Sequence, residues 1–262
     1  MKSTRRLVAA LACRNTGARL YGKPMQKINK NDTILDQIIK SLKLQPEIDD
    51  IVLGISEGLA NLAFIDVAHS HGVAYILGDP DDVLFRLIQC GRAGRATDIF
   101  RITTECPWSA YELIGPMWRH HVIADNDITV CDRLPEGLHF EIYKLDALET
   151  AHARGSTTDR SEFCSNYPRN HPEEFKATVF IPEPSLRRQD LRVTVDNPED
   201  LVLAREIAKG CADSMPCIPA DRIIRFLDSR PDLKSLVQPF VVDEALWPMF
   251  SDQREIAPNV QD

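Results

Sequence analysis

Arg14, Arg19 and Lys23 share one short loop with Gly17 and Gly22. Such a loop suits phosphate: guanidinium and ammonium groups make charge-assisted hydrogen bonds, and glycine lets the backbone approach closely. Two acids further along, Glu105 and Asp196, each follow a strand-like run, DIFRIT and LRVTV. Carboxylates at strand ends can converge on one hard cation, and Mg²⁺ commonly takes one or two of them together with phosphate oxygens. On spacing alone, Asp196 could equally cap the helix that follows it.

The string Gly17 to Lys23, GARLYGK, fits G-x-x-x-x-G-K, but Pro24 stands where a phosphate loop of that type needs a hydroxyl for magnesium. The next helical spacing begins only near Thr33, so this reading fails. His69/His71 and His120/His121 are too close in sequence to face together along a helix and are not read as metal ligands. The seven cysteines, Cys13, Cys90, Cys106, Cys131, Cys164, Cys211 and Cys217, are an odd number without a C-x-x-C pair. They read as free thiols of a cytoplasmic protein, not as a disulfide framework or zinc knuckle. Arg86 and Arg101 could each serve a structural ion pair, with Asp82 or Asp98.

The elements that must position these groups follow from periodicity. Leu7 to Ala12 is an unbroken apolar run, the pattern of a strand buried on both faces in a parallel sheet. Its carboxyl end, where the basic loop starts, is where open α/β sheets bind ligands. Helical spacing over Thr33–Leu44 precedes a strand at Asp50–Ser56, a helix at Asn61–Ser70 and a strand at Val73–Leu77. A helix opens at Val83, then come a strand at Asp98–Thr103, a helix at Ser109–His120 and a strand at Asp127–Cys131. This alternation predicts a mainly parallel sheet with helices on both faces. Beyond residue 132 the expected elements are strands at Leu138–Ile142, Phe175–Ile181 and Leu191–Val195. The helices expected there are Leu145–Ala153, Asp159–Tyr167, one from Pro198 and one near Ala220–Leu227. The division expected is a main domain over 1–210, with 132–182 as its acceptor or dimerisation subregion, and a helical extension and tail over 211–262.

A net charge of −8 and a pI near 5.4 argue against a non-specific nucleic-acid binder, so the basic loop is a local site. Trp108, Trp118 and Trp247 are too scattered to suggest base stacking. The apolar part after Lys2, Arg5 and Arg6 is short for a leader, and no stretch approaches the ~20 apolar residues of a membrane span. A soluble cytoplasmic protein is expected.

RNTGARLYGKPM resembles the R-x-x-S-T-R-L-P-G-K-P-L signature of cytidylyltransferases that activate acidic sugars, the KDO and acylneuraminate enzymes among them. GDPDDVLFR, RITTECP, GLHFEIYKLDALE and RVTVDNPED resemble, in the same order, segments of the related spore-coat polysaccharide (SpsF-type) cytidylyltransferases. The similarity runs from about Leu7 to Lys209. It implies a GT-A-like α/β nucleotidyltransferase fold, usually a homodimer with an arm from the second half. It also implies Mg²⁺-dependent transfer of CMP from CTP to a small acidic or phosphorylated acceptor, with pyrophosphate released, for a surface glycan. In that scheme Arg14 and Lys23 hold the CTP phosphates and Arg19 supports the loop. Ser56 and Arg101 lie by the nucleotide, Glu105 and Asp196 bind Mg²⁺, and Glu141, Asp159 and Arg160 face the acceptor.

The chain departs from the pattern at several places. Gly17 and Ala18 replace Ser-Thr, Tyr21 replaces Pro, Glu105 replaces Asp, and His139 and Phe163 stand where relatives carry Asp and His. A non-catalytic nucleotide-binding paralogue, or a transferase with another nucleotide or with a phosphate or phosphonate acceptor, is therefore an alternative. A GT-A glycosyltransferase is disfavoured, because the D-x-D strings Asp79-Pro80-Asp81 and Asp125-Asn126-Asp127 are misplaced for its metal motif.

Overall fold

The computed structural model describes residues 5–17, 19–161, 165–242 and 254–256 of the chain. Ala18, Phe163, Cys164, Trp247 and most of the expected tail lie outside the described residues.

The first strand, β1 (Leu7–Cys13), is apolar throughout because both its faces are covered. Leu7, Ala9 and Leu11 enter one core and Val8 and Ala10 the other. The first core also takes α1 (Ile34–Lys43), α2 (Ala63–His71), α4 (Ile114–Ile123) and α7 (Pro198–Gly210). The opposite face is packed by α3 (Val83–Ala93) and α5 (Leu145–Arg154). Helix α1 starts at a reciprocal cap: the Asp36 N–H donates to Thr33 Oγ1 at 3.1 Å, and the Thr33 N–H donates to Asp36 Oδ2 at 2.9 Å.

The remaining strands are β2 (Ile48–Ser56), β3 (Ala74–Gly78), β4 (Asp98–Arg101), β5 (Ile128–Val130), β6 (Glu141–Lys144), β7 (Ala177–Phe180) and β8 (Arg254–Ile256). They form one sheet in the order β3-β2-β1-β4-β6-β5-β7-β8. All pairs are parallel except those of β6, which runs antiparallel to β4 and β5. The chain leaves β1 toward β2 and β3, then returns to pair β4 on its other side. Strand order therefore reverses at β1, and the carboxyl ends of β1 and β4 open into a crevice between diverging connections.

The expected mainly parallel sheet with helices on both faces is what the chain forms. Four local expectations are corrected. Leu191–Val195 is not a sheet strand: it runs between two loops, with the Val193 N–H on the Glu136 carbonyl at 2.8 Å and the Val195 N–H on the Glu105 carbonyl at 3.0 Å. It is apolar because it is buried, and burial alone does not distinguish a sheet strand from an extended segment between loops. The strand expected at Leu138–Ile142 begins only at Glu141, since Gly137, at φ +94°, turns the chain just before it. The helix expected over Asp159–Tyr167 is two short pieces, a turn at Thr158–Arg160 and α6 (Asn166–Asn170). After α8 (Ala220–Asp228) a further helix, α9 (Pro231–Val237), opens on its own proline. Ile223, Leu227, Leu233 and Val237 join the core of α1 and α7, so these last helices close the main hydrophobic layer. No helix among the described residues is long and apolar enough to cross a membrane.

Candidate active site

The basic loop leaves β1 and folds back on itself. The Gly22 N–H reaches the Asn15 carbonyl at 2.9 Å, and Gly22 adopts the left-handed conformation (φ 60°) that favours glycine. A Cβ on Gly17 would stand 2.7 Å from the Leu20 carbonyl oxygen, so the tight turn excludes the serine of the resembling signature unless the loop shifts. The Asn15 N–H is fixed by Asn61 Oδ1 at 2.8 Å, which ties the loop to the segment after β2. Lys23 then opens a single helical turn, Lys23–Met25, with Pro24 inside it.

Glu105 lies in the loop after β4. Thr104 Oγ1 donates to the Ala12 carbonyl at 2.9 Å, joining that loop to the end of β1. Since the Glu105 carbonyl accepts the Val195 N–H, the residue next to Asp196 is fastened to Glu105 itself. Asp196 does not cap α7. Asn197 is the cap residue, and Asp200 closes the turn by accepting the N–H groups of Asp196 and Asn197 at 3.0 and 2.9 Å. The Asp196 carboxylate is thereby left for other partners.

Those partners define the site. Lys23 Nζ donates to Glu105 Oε2 at 2.8 Å and to Asp196 Oδ1 at 2.5 Å. The two carboxylate oxygens are thus no farther apart than these two bonds laid end to end, although their residues are 91 positions apart in the chain (196 − 105). An Arg19 guanidinium nitrogen stands 3.4 Å from the same Asp196 Oδ1. From behind, buried Arg192 holds Asp196 Oδ2 at 2.7 Å and also binds Asp200 and Glu136. Burial alone would raise the Asp196 pKa, but its bonds to Lys23 and Arg192 outweigh that and hold it below the usual carboxylate range. Burial likewise opposes the charge on Lys23, yet Glu105 and Asp196 raise its pKa above the ordinary lysine value.

Lys23 and Glu105 sit on the wall of a cavity of about 280 Å³ at the end of β1. Among the described residues its charged lining is five cations, Arg14, Arg19, Lys23, Arg86 and Arg101, against the carboxylate of Glu105. In a chain of net charge −8 this is a strongly localised basic site, suited to a polyanion. Ala12, Val83 and Leu87 supply apolar wall, and Thr16, Thr103 and Thr104 supply hydroxyls.

Of the residues expected at the site, Arg14, Arg19, Lys23, Arg101 and Glu105 line the cavity, with Asp196 directly behind Lys23. The others are placed elsewhere. Ser56 is buried at the end of β2 and is not among the lining residues. Glu141 is buried and pairs across the sheet with Arg101 at 2.6 Å, while Arg169 holds its other oxygen at 3.0 Å. Asp159 caps its own turn by accepting the Ser156 N–H at 2.8 Å, and Arg160 donates to the His152 carbonyl at 2.9 Å. Neither Arg86 nor Arg101 makes the ion pair considered for it: Asp82 binds His152, and Asp98 binds Arg5 and His121. The sequence suggests for Arg86 only that structural ion pair. Arg86 is 1% exposed, donates to the Cys13 and Gly54 carbonyls at 3.3 and 3.0 Å, and its buried Nε has no hydrogen-bond partner among the described residues. An arginine on the apolar face of a helix beside the basic loop was the available signal.

Among the described residues no three His, Cys, Asp or Glu side chains cluster as a self-sufficient metal site. Two converging carboxylates of hard oxygen donors fit a divalent cation that takes its remaining ligands from a phosphorylated substrate.

Comparison with solved structures gives the same architecture. A cytidylyltransferase from Leptospira borgpetersenii superposes with a TM-score of 0.75 at 19% identity, over 87% of this chain and 95% of that one. CMP:2-keto-3-deoxy-manno-octonic acid synthetase, solved with CTP, gives 0.58 at 11% identity, over 78% and 99%. The chain has the nucleotidyltransferase fold. In sequence it is 23% identical over 230 residues to the spore coat polysaccharide biosynthesis protein SpsF of Bacillus subtilis, covering 85% of this chain and 94% of SpsF. No family model matches the chain. Within the nucleotidyltransferase fold, the cavity described above occupies the crevice where strand order reverses.

Proposed function

We propose that the chain is a divalent-metal-dependent cytidylyltransferase, transferring CMP from CTP to a small acidic or phosphorylated, sugar-like acceptor for a surface glycan. The observation that carries this reading is the meeting of Lys23, Glu105 and Asp196 at one point, with Lys23 and Glu105 on the wall of a cation-lined cavity. The likeness to cytidylyltransferases in structure, and to SpsF in sequence, supports the choice of cytidine nucleotide and of glycan synthesis.

An acceptor oxygen attacks the α-phosphorus, the bond to the β-phosphate breaks, and pyrophosphate leaves. Little covalent work falls to the protein; alignment and charge neutralisation lower the barrier. Arg14 and Lys23 bind the β- and γ-phosphates and take up the charge that develops on the leaving group, with Arg19 bracing the loop. Glu105 and Asp196 would hold Mg²⁺, which neutralises phosphate charge where bond making and breaking occur. Arg101 is aimed by Glu141, so Glu141 acts on the substrates through that guanidinium. Thr16 offers a hydroxyl close to where the Gly17-Ala18 departure removes two. Asp159 and Arg160 shape the turn on the acceptor side of the second half. The reading includes a cytoplasmic homodimer.

Pyrophosphate release measured with each of the four nucleoside triphosphates, against a panel of acidic and phosphorylated sugars, tests it. Release that requires CTP, a divalent cation and one acceptor class is expected. CTP binding without release in any combination would instead make the chain a nucleotide-binding paralogue.

A further inference from the structure

The seat assigned to a divalent cation is taken by a side chain of the protein itself. Lys23 Nζ lies within 2.8 Å of one oxygen from each of Glu105 and Asp196, the position a shared cation would need. Arg192 makes the conflict sharper. This arginine is 3% exposed, held on Asp200 at 3.0 Å and on Glu136, and it occupies Asp196 Oδ2 at 2.7 Å. Asp196 therefore has a single oxygen, Oδ1, on the side of Lys23, and that oxygen is the one bound to the lysine. An ammonium and a divalent cation cannot share so small a space, because like charges repel steeply at such distances.

We propose that Lys23 is an internal stand-in for the cation, which keeps the acidic pair closed to divalent ions until a triphosphate draws the lysine away. This rests on the reading of Glu105 and Asp196 as the metal seat and adds an order of loading to it. The lysine lines the cavity, so phosphate oxygens entering there compete with the two carboxylates for its ammonium. Each charge-assisted bond it gives up is replaced by one to phosphate, while the vacated carboxylates are offered to the ion that arrives with the nucleotide. Arg192 is the positioning residue in this device: by fixing Oδ2 it confines Lys23 and the ion to the same oxygen. Without nucleotide the protein is then a poor metal binder despite two converged carboxylates.

The test is a titration of Mn²⁺ alone into the full nucleotide-free chain, followed by the loss of the free-ion electron paramagnetic resonance signal. Lys23→Met should bind Mn²⁺ about tenfold or more tighter than the wild type, as expected when a competing pair of charge-assisted bonds is removed. Lys23→Met combined with Asp196→Asn should lose that gain. Arg19→Met removes an equal charge near the same oxygen, 3.4 Å away, but leaves Lys23 in its seat, and should gain far less. Equal affinity in wild type and Lys23→Met would overturn the proposal, as would a gain that survives the second substitution or is matched by Arg19→Met. Lys23→Gln supplies the same comparison should the methionine variant not fold. Equilibrium dialysis of CTP with the wild type separates the two readings. Absent CTP binding would remove the nucleotide reading, whereas a flat Mn²⁺ comparison with CTP still bound would remove only the lysine competition.

Discussion

Replacing Asp196 by asparagine keeps the shape of the side chain and removes one charge where three cations converge. Arg192 retains Asp200 and Glu136, and Lys23 retains Glu105, so no buried cation is stranded. The stability cost is then that of weakened charge-assisted hydrogen bonds, about 1–3 kcal/mol, below the ~3–5 kcal/mol of an orphaned buried charge. Turnover should suffer more. In the proposed mechanism one of the two carboxylates that would hold the metal is then gone, and losing one preorganised electrostatic group costs on the order of 10²–10³-fold in kcat. The assay is CTP-dependent pyrophosphate release, with thermal melting of the same preparations to show that the fold is kept. A variant within about threefold of wild-type turnover, under ~1 kcal/mol of barrier, with unchanged metal dependence would refute the assignment of Asp196.

Three further outcomes follow from particular contacts. Arg86→Met removes a buried guanidinium that makes no ion pair among the described residues, so its melting temperature should change little while CTP affinity falls; isothermal titration with CTP checks this, and unchanged affinity would exclude Arg86 from the site. Gly137→Ala forces a side chain at φ +94° to within 2.3 Å of the Thr194 nitrogen, so destabilisation of about 3 kcal/mol or more is expected in urea unfolding. His121 is buried, and burial holds its pKa below the ordinary 6.5 despite the pull of Asp98. With a lowered folded pKa, the unfolded chain takes up the proton first as pH falls below 6.5, so stability declines from there downward. His121→Gln should flatten that decline in melting temperature between about pH 7 and pH 5, and an unchanged slope would contradict the assignment.

The strands up to β5 are legible because short apolar-rich runs alternate with helical spacing, and β1, apolar throughout, shows the limit of that pattern: both its faces are packed. The acidic pair is legible as two carboxylates after strand-like runs. The means of joining them is not, because the Val195 N–H to Glu105 carbonyl bond is a backbone contact that carries no side-chain signature. Leu191–Val195 looks like a strand in sequence because a buried extended segment and a sheet strand share one composition. The partners of Glu141, Arg101 and Arg169, come from β4 and α6, and no local pattern announces such a three-element cluster. Arg86 shows the converse: its charge is plain in the sequence, and only the fold reveals that it is buried against backbone carbonyls and makes no ion pair among the described residues.

The central claim is that Glu105, Asp196 and Lys23 act around one nucleotide-bound cation. A crystal structure of the chain grown with CTP and Mn²⁺, with the metal located by its anomalous scattering, tests it most directly. The account predicts one manganese peak bridging Glu105, Asp196 Oδ1 and a phosphate oxygen, with the Lys23 ammonium turned onto the triphosphate. A manganese site away from both carboxylates, or CTP bound outside the crevice at the end of β1, would contradict it.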